Sequence, residues 1–359
     1  MCAARLTEWS RIPTSGARAV EPFDVDGLSL LAIPQLAYDV PGREPSMNGG
    51  DSDTDLLILR RNADGYEPFQ RVPAPGGEDA EFFRVGDRAF LATASIRHGQ
   101  GPYEYETESI VYEWDGSAFV PFQRVSTFAA KQWRHFIQDG RHFLALAQGV
   151  ATPATVDRNR PSVIFEWDGD AFVPFQEIPS QWAYNWHHFS VGGHDFLAHA
   201  DHVDPSRLYR WDGAKFVPHQ DLADRHGRAF ATFHADDEDY LLVACIESPS
   251  RLLRWDGDRF VEHDVLDGLG AREFAVHFPH ILRVNFIQGP RTEPTTALNS
   301  QLYQWQNGKL VVVAEFPTTG GTDAAVLPDV DGPLVAVSNS LTADVRFAAE
   351  TVIYRLESR

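Results

Sequence analysis

Four copies of the tripeptide Trp-Asp-Gly constrain this chain more than any other feature. They lie at Trp114-Asp115-Gly116, Trp167-Asp168-Gly169, Trp211-Asp212-Gly213 and Trp255-Asp256-Gly257. A Phe follows five residues after each Trp, at Phe119, Phe172, Phe216 and Phe260. Gln stands four residues beyond that column at Gln123, Gln176 and Gln220. The same frame fits Trp305 with Leu310, and Arg61 with Tyr66 and Gln70. Asp-Gly between two runs of alternating apolar and polar residues predicts a hairpin, because Gly accepts the positive φ that the turn requires. Pro121 and Pro174 place the second strand of that hairpin at a sheet edge, where a missing N–H does no harm.

Each unit carries an earlier hairpin as well. Phe83 precedes Phe90-Leu91, and Phe136 precedes Phe143-Leu144. Phe189 with Phe196-Leu197, Phe233 with Tyr240-Leu241 and Phe23 with Leu30-Leu31 follow suit. Phe274 with Ile281-Leu282 and Leu327 with Leu334-Val335 extend the series. The anchor column Arg61, Trp114, Trp167, Trp211, Trp255, Trp305, Leu356 advances by 53, 53, 44, 44, 50 and 51 residues. Seven units of four short strands predict an all-β, seven-bladed β-propeller with four antiparallel strands per blade. The seventh unit ends near Leu356 without a fourth strand. Leu6-x-x-Trp9-Ser10-Arg11-Ile12 matches Phe119-x-x-Phe122-Gln123-Arg124-Val125, so the N-terminal strand is expected to pair into the last blade. The whole chain, 1–359, is then one propeller domain without a free edge.

These residues resemble the epilepsy-associated repeat, also called EPTP. The resemblance rests on Phe136…Gly140…Phe143-Leu144…Ala147, and on Ser109-x-x-Tyr112-x-Trp114-Asp115-Gly116-x-x-Phe119-x-x-Phe122-Gln123. It covers almost the whole chain and is sharpest from Glu78 to Asp264. It implies the seven-bladed fold and a binding face, as in secreted neuronal proteins that bind receptor ectodomains. It implies no catalytic residues. Trp-Asp is also similar to WD40 repeats, but their Gly-His partner is missing.

Composition narrows the partners. The chain has 51 Asp+Glu against 31 Lys+Arg, a formal charge of −20. Such a surface repels phosphate backbones and anionic lipid, so no nucleic-acid and no membrane partner is expected. No apolar run is long enough to span a bilayer. The N-terminus lacks the apolar core of a signal peptide, and two cysteines, Cys2 and Cys245, make no disulfide framework, so a cytoplasmic location is expected. Cys245, in Leu-Leu-Val-Ala-Cys, reads as a small buried strand residue.

The loops between second and third strands are long in units one, two, three, six and seven, and short in four and five. They rise from the rim where the chain enters the inner strands, which predicts a walled pocket there. Residues before the inner-strand Phe converge on the axis. Glu21, Glu81, Arg134, His187 and Arg272 are expected in one ring, with Trp133, Trp186 and Phe230 as a neighbouring aromatic wall and His188 nearby. The ring serves equally as a Glu–Arg plug. A binding protein for a small molecule or protein at the channel mouth is the reading the resemblance favours. The alternative is a cofactor-independent enzyme, a lyase, cyclase or hydrolase. In it His187, Glu81 and His188 act as acid and base, with Glu21, Trp133, Arg134, Trp186 and Arg272 holding the substrate. His187 is the first choice of base because a His ordinarily exchanges protons near neutrality.

No cofactor fingerprint is present. Histidines crowd between His187 and His280, but none of their spacings is a metal motif, so no metal is assigned. Asp51, Asp53 and Asp55 lack the remainder of a calcium loop and read as a solvated turn.

Overall fold

The computed structural model describes residues 4–357; Cys2 lies outside them. Seven four-stranded antiparallel sheets succeed one another around an axis. Their first strands are Glu21–Val25, Gly77–Val85, Gln132–Gln138, Ala183–Val191, Gly227–Ala235, Ala271–His277 and Gly321–Leu327. These seven pack against one another in a closed ring and line the channel. The seventh sheet is completed by Arg5–Pro13, paired antiparallel with Glu350–Glu357 in the order expected, with Leu6 opposite Leu356 and Ile12 opposite Thr351.

The repeated residues hold neighbouring blades together. In each Trp-Asp-Gly turn the Asp carboxylate accepts two backbone N–H groups, those of Ser117 and Ala118 on Asp115 Oδ1. The following Gly has φ between 97° and 114° in all four copies, which explains its invariance across the repeats. The Trp Nε1–H reaches back to the preceding blade: Trp114 donates to Asp26, Trp211 to Asp139 and Trp305 to Asp236. The Gln column reaches forward. Gln123 Nε2 donates to Phe172 O at 2.8 Å, and its Oε1 accepts the Phe172 N–H at 2.9 Å. Gln70, Gln176 and Gln220 make the same double clamp on Phe119, Phe216 and Phe260. Between these polar stitches lie apolar seams, such as Phe83, Phe90 and Ala92 of blade two against Trp133, Leu144 and Phe172 of blade three.

Inner strands in blades two, five, six and seven carry a β-bulge near their start, at Glu78, Arg228, Arg272 and Thr322. Blade four has an irregularity of the same place at Tyr184–Asn185. A bulge re-aims side chains, and these fall on the channel. Blade six departs from the expected frame. Ile281 pairs with Val276, while Phe274 pairs with Arg283. Its inner strand runs only from Arg272 to the closing pair His277–His280, where blade two runs from Glu78 to Val85–Arg88. Each strand of the hairpin is two residues shorter, so counting back from the Phe misplaces this blade's channel residues.

Candidate functional site

Two columns of side chains meet on the axis. The first comprises Glu21, Glu81, Arg134 and His187, which occupy equivalent strand positions opposite Ala32, Ala92, Ala145 and Ala198. The second lies three residues earlier along the chain, at or just before the start of each inner strand: Arg18, Glu78, Lys131, Tyr184 and Arg228. Arg272 belongs to this second layer, since it occupies the bulge as Glu78 and Arg228 do. The ring position of blade six falls instead to Ala275, opposite Leu282.

The second layer divides the channel. Arg18, Glu78, Lys131 and Arg272 line chambers on both sides of it. Glu78 Oε1 stands 3.6 Å from Arg18 Nε, and its Oε2 3.6 Å from Arg272 Nη2. The Tyr184 ring packs under the guanidiniums of Arg228 at 3.9 Å and Arg272 at 4.6 Å. Burial pushes the Glu78 carboxyl up, but Arg18, Lys131 and Arg272 outweigh it and hold it below its ordinary value. Burial also opposes ionisation of Tyr184, and the surrounding Arg228, Arg291, Lys131 and Arg272 still bring it down to about 7.

The inner chamber, about 560 Å³, opens away from the long loops and is lined by Glu21, Asp79, Glu81, Arg134, His187, His188, Trp186, Glu273 and Asp323. Arg134 Nη1 pairs with Glu81 Oε2 at 3.1 Å. The carboxylates also have a structural task. Glu21 accepts the Phe82 N–H, Asp79 that of Trp133, Glu81 that of His135 and Asp323 that of Val20, each across a blade boundary. Gln132 does the same for Trp186. Inner strands of adjacent blades share no ladder, so their channel-facing N–H groups need these side-chain acceptors. Burial raises Asp79 and Glu273 to about 8, and it raises Glu21, Glu81 and Asp323 as well.

His187 stands with Nε2 3.0 Å from Thr232 Oγ1. Burial, with Arg134 and His188 nearby, lowers it to about 3, so it is neutral at pH 7 rather than exchanging protons there. His188 lies flat on Phe136 at 4.6 Å, as His135 lies on Phe83 at 4.7 Å and Phe82 on Phe23 at 4.3 Å. This column packs blade on blade. Trp133 and Trp186 pack within blade seams, 0% and 1% exposed; Trp186 and Phe230 still border the inner chamber, and Trp133 does not. Their position alternates with Arg134 and His187, so the pleat turns them inward to the sheet core.

His199 is also sealed, 3.1 Å from Ser162 Oγ and away from His187 and His188. Among the described residues the metal-type donors that gather are His202, His226 and Glu247. Asp51 and Asp53 accept the N–H groups of Asp53 and Gly99 and tie loop one to loop two. Cys245 is buried in a strand.

The outer chamber, about 420 Å³, lies under the long loops. Leu36 and Met47 of loop one, Ile96 and Arg97 of loop two, Val150 of loop three, and Phe286 and Arg291 of loop six wall it. Trp182 lies in its wall with a buried Nε1–H that has no partner. Glu78, Lys131, Tyr184 and Arg228 were readable in the sequence as a column three residues before the ring; Arg97, Trp182 and Arg291 sit on loops outside any repeat frame.

Fold and channel together define a seven-bladed β-propeller closed by its own N-terminal strand, with a charged partition between two chambers. The EPTP domain model matches residues 118–168, 171–212 and 215–256. Three of the seven units thus carry matches to the EPTP repeat, and the relatives the chain resembles are named for EAR repeats. It is similar to the human thrombospondin-type laminin G domain and EAR repeat-containing protein, 27% identical over 179 residues, which cover 49% of this chain and 25% of the relative. The mouse protein of the same name is 31% identical over 141 residues, 38% of this chain and 20% of its own length. The matched part thus spans a quarter or less of the relatives' length.

Proposed function

We propose that this propeller is a binding module whose ligand or partner docks at the long-loop mouth of the channel. One observation carries the reading. Loops from separate blades and the starts of the inner strands wall a single chamber that mixes apolar, aromatic and charged side chains. That combination on a rigid scaffold describes a recognition site. Acid–base chemistry finds less support in the inner chamber, where His187 is held neutral and Glu81 is engaged by Arg134 and the His135 N–H.

A library of small organic fragments screened by thermal shift, followed by hydrogen-exchange mapping of the binders, tests the reading. Protection should concentrate in 34–54, 96–105 and 286–296. Binders that protect only the hairpin turns at the opposite rim, around 86–87, 139–140 and 192–193, would place the site elsewhere.

A further inference from the structure

The outer chamber reverses the sign of the molecule's charge. The chain carries 20 more acidic than basic side chains. Yet this chamber is lined by Arg18, Arg97, Lys131, Arg228, Arg272 and Arg291 against the single carboxylate of Glu78. Many arginines elsewhere are matched one to one with a carboxylate, as in Arg88–Glu113, Arg141–Glu166 and Arg254–Glu238. Here they are not. Arg97 donates to Ser52 Oγ and to the carbonyls of Asn48 and Gly49. Arg228 donates to the Gly227 carbonyl and stands 3.1 Å from His202 Nδ1, while Arg291 stands 3.1 Å from His202 Nε2. A neutral imidazole accepts at one ring nitrogen only, so His202 can satisfy at most one of the two guanidiniums, and neutral acceptors leave the charge in place. Arg18 and Arg272 share Glu78 at 3.6 Å each. Lys131 Nζ and Arg18 Nε are buried without any hydrogen-bond partner. Glu247, half-exposed at the margin, approaches His226 at 3.4 Å and His202 at 3.8 Å. Its cluster with the two histidines does not suit a cation, because guanidiniums of Arg228 and Arg291 already stand at both ring nitrogens of His202.

Uncompensated buried charge is costly, and this chamber concentrates it beside apolar and aromatic side chains of Trp182, Tyr105, Phe286, Leu36, Ile96 and Val150. We propose that the outer chamber binds a small organic oxyanion with a flat, apolar body. The oxyanion would sit against Lys131, Arg228 and Arg291, where rigid guanidinium forks match carboxylate and phosphate oxygens. The body would lie against Trp182, whose unpartnered Nε1–H supplies one more donor. This inference rests on the mouth being the binding site, and names what that site takes.

Isothermal titration of the full chain with phenyl phosphate, phenol and inorganic phosphate tests it, with hydrogen exchange recorded for each. Phenyl phosphate should bind at least about tenfold more tightly than either part alone, and more weakly at high salt. Arg291→Gln, in a loop, and Lys131→Met should each weaken it by about tenfold or more, the scale of a charge-assisted hydrogen bond. Melting temperatures separate lost binding from lost folding. Phenol binding as tightly as phenyl phosphate, with the mouth loops protected, would overturn the anion and leave the mouth site standing. Failure of all three probes to bind, or phenyl phosphate binding unchanged in both variants, would overturn the proposal. If fragments of every class leave the mouth loops unprotected, the site itself is overturned.

Discussion

Glu81 accepts the backbone N–H of His135, one blade further on, at 2.8 Å, and its other oxygen pairs with Arg134 at 3.1 Å. One channel carboxylate therefore joins two inner strands that share no ladder. Glu81→Ala removes the acceptor of the His135 N–H and the ion-pair partner of Arg134. It should destabilise the fold by roughly 1.5–3 kcal/mol, the scale of a hydrogen bond to a charged group, because the Arg134 side chain is 39% exposed and water offsets part of its charge. Glu81→Gln keeps an acceptor and should lose less. Urea denaturation measures both; an alanine variant as stable as the wild type would refute the clip.

Asp79 sets a pH dependence. Burial first, then Glu81, raises it to about 8, while Arg134 and the Trp133 N–H oppose the rise and Asp323 adds to it. The folded state therefore binds its proton more tightly than the unfolded chain, whose Asp titrates near 4. The stability it contributes is fully present below pH 4 and is lost as pH rises toward 8. Asp79→Asn stays neutral and keeps an acceptor for the Trp133 N–H. Its stability relative to wild type should improve steadily from pH 5 to pH 8. Parallel stability curves over that range would contradict this.

The N-terminal strand closes the ring. Removing residues 1–13 uncovers the Glu350–Glu357 edge and deletes the ladder to it, together with the Arg5–Glu357 and Arg11–Glu350 pairs. Each lost ladder bond is worth about 0.5–1.5 kcal/mol net. The truncated chain should melt well below the full chain and self-associate through the open strand. Light scattering and calorimetry report the two effects; a monomer with unchanged melting would disprove the closure.

The Gln clamps are separable from the apolar seams. Gln123→Ala deletes two hydrogen bonds to the Phe172 backbone and should cost about 1–3 kcal/mol. Gln123→Glu keeps an acceptor for the Phe172 N–H but presents an oxygen to the Phe172 carbonyl, and should be no better than alanine. Equal stability of all three chains would remove the clamp's role.

Blade number, strand order, the closing strand and the long-loop rim were all legible in the sequence. They depend on local patterns that recur along the chain: a Trp-Asp-Gly turn in four units, a Gln at a fixed offset in four, and alternating strands in all seven. The repeats also located the inner strands, and with them Glu21, Glu81, Arg134 and His187 in one layer. Only the tertiary structure decided what those residues meet. Arg272 left the ring because an inner strand two residues shorter moves its register, which no residue in the repeat announces. Trp133 and Trp186 turned into blade seams because the pleat alternates faces, and His187 fell well below its ordinary pKa because the channel wall buries it beside Arg134. The basic chamber depends on Arg97, Arg228 and Arg291, which are 131 and 63 positions apart in succession. Sequence separation carries no information about the axis on which a closed ring of blades brings such charges together.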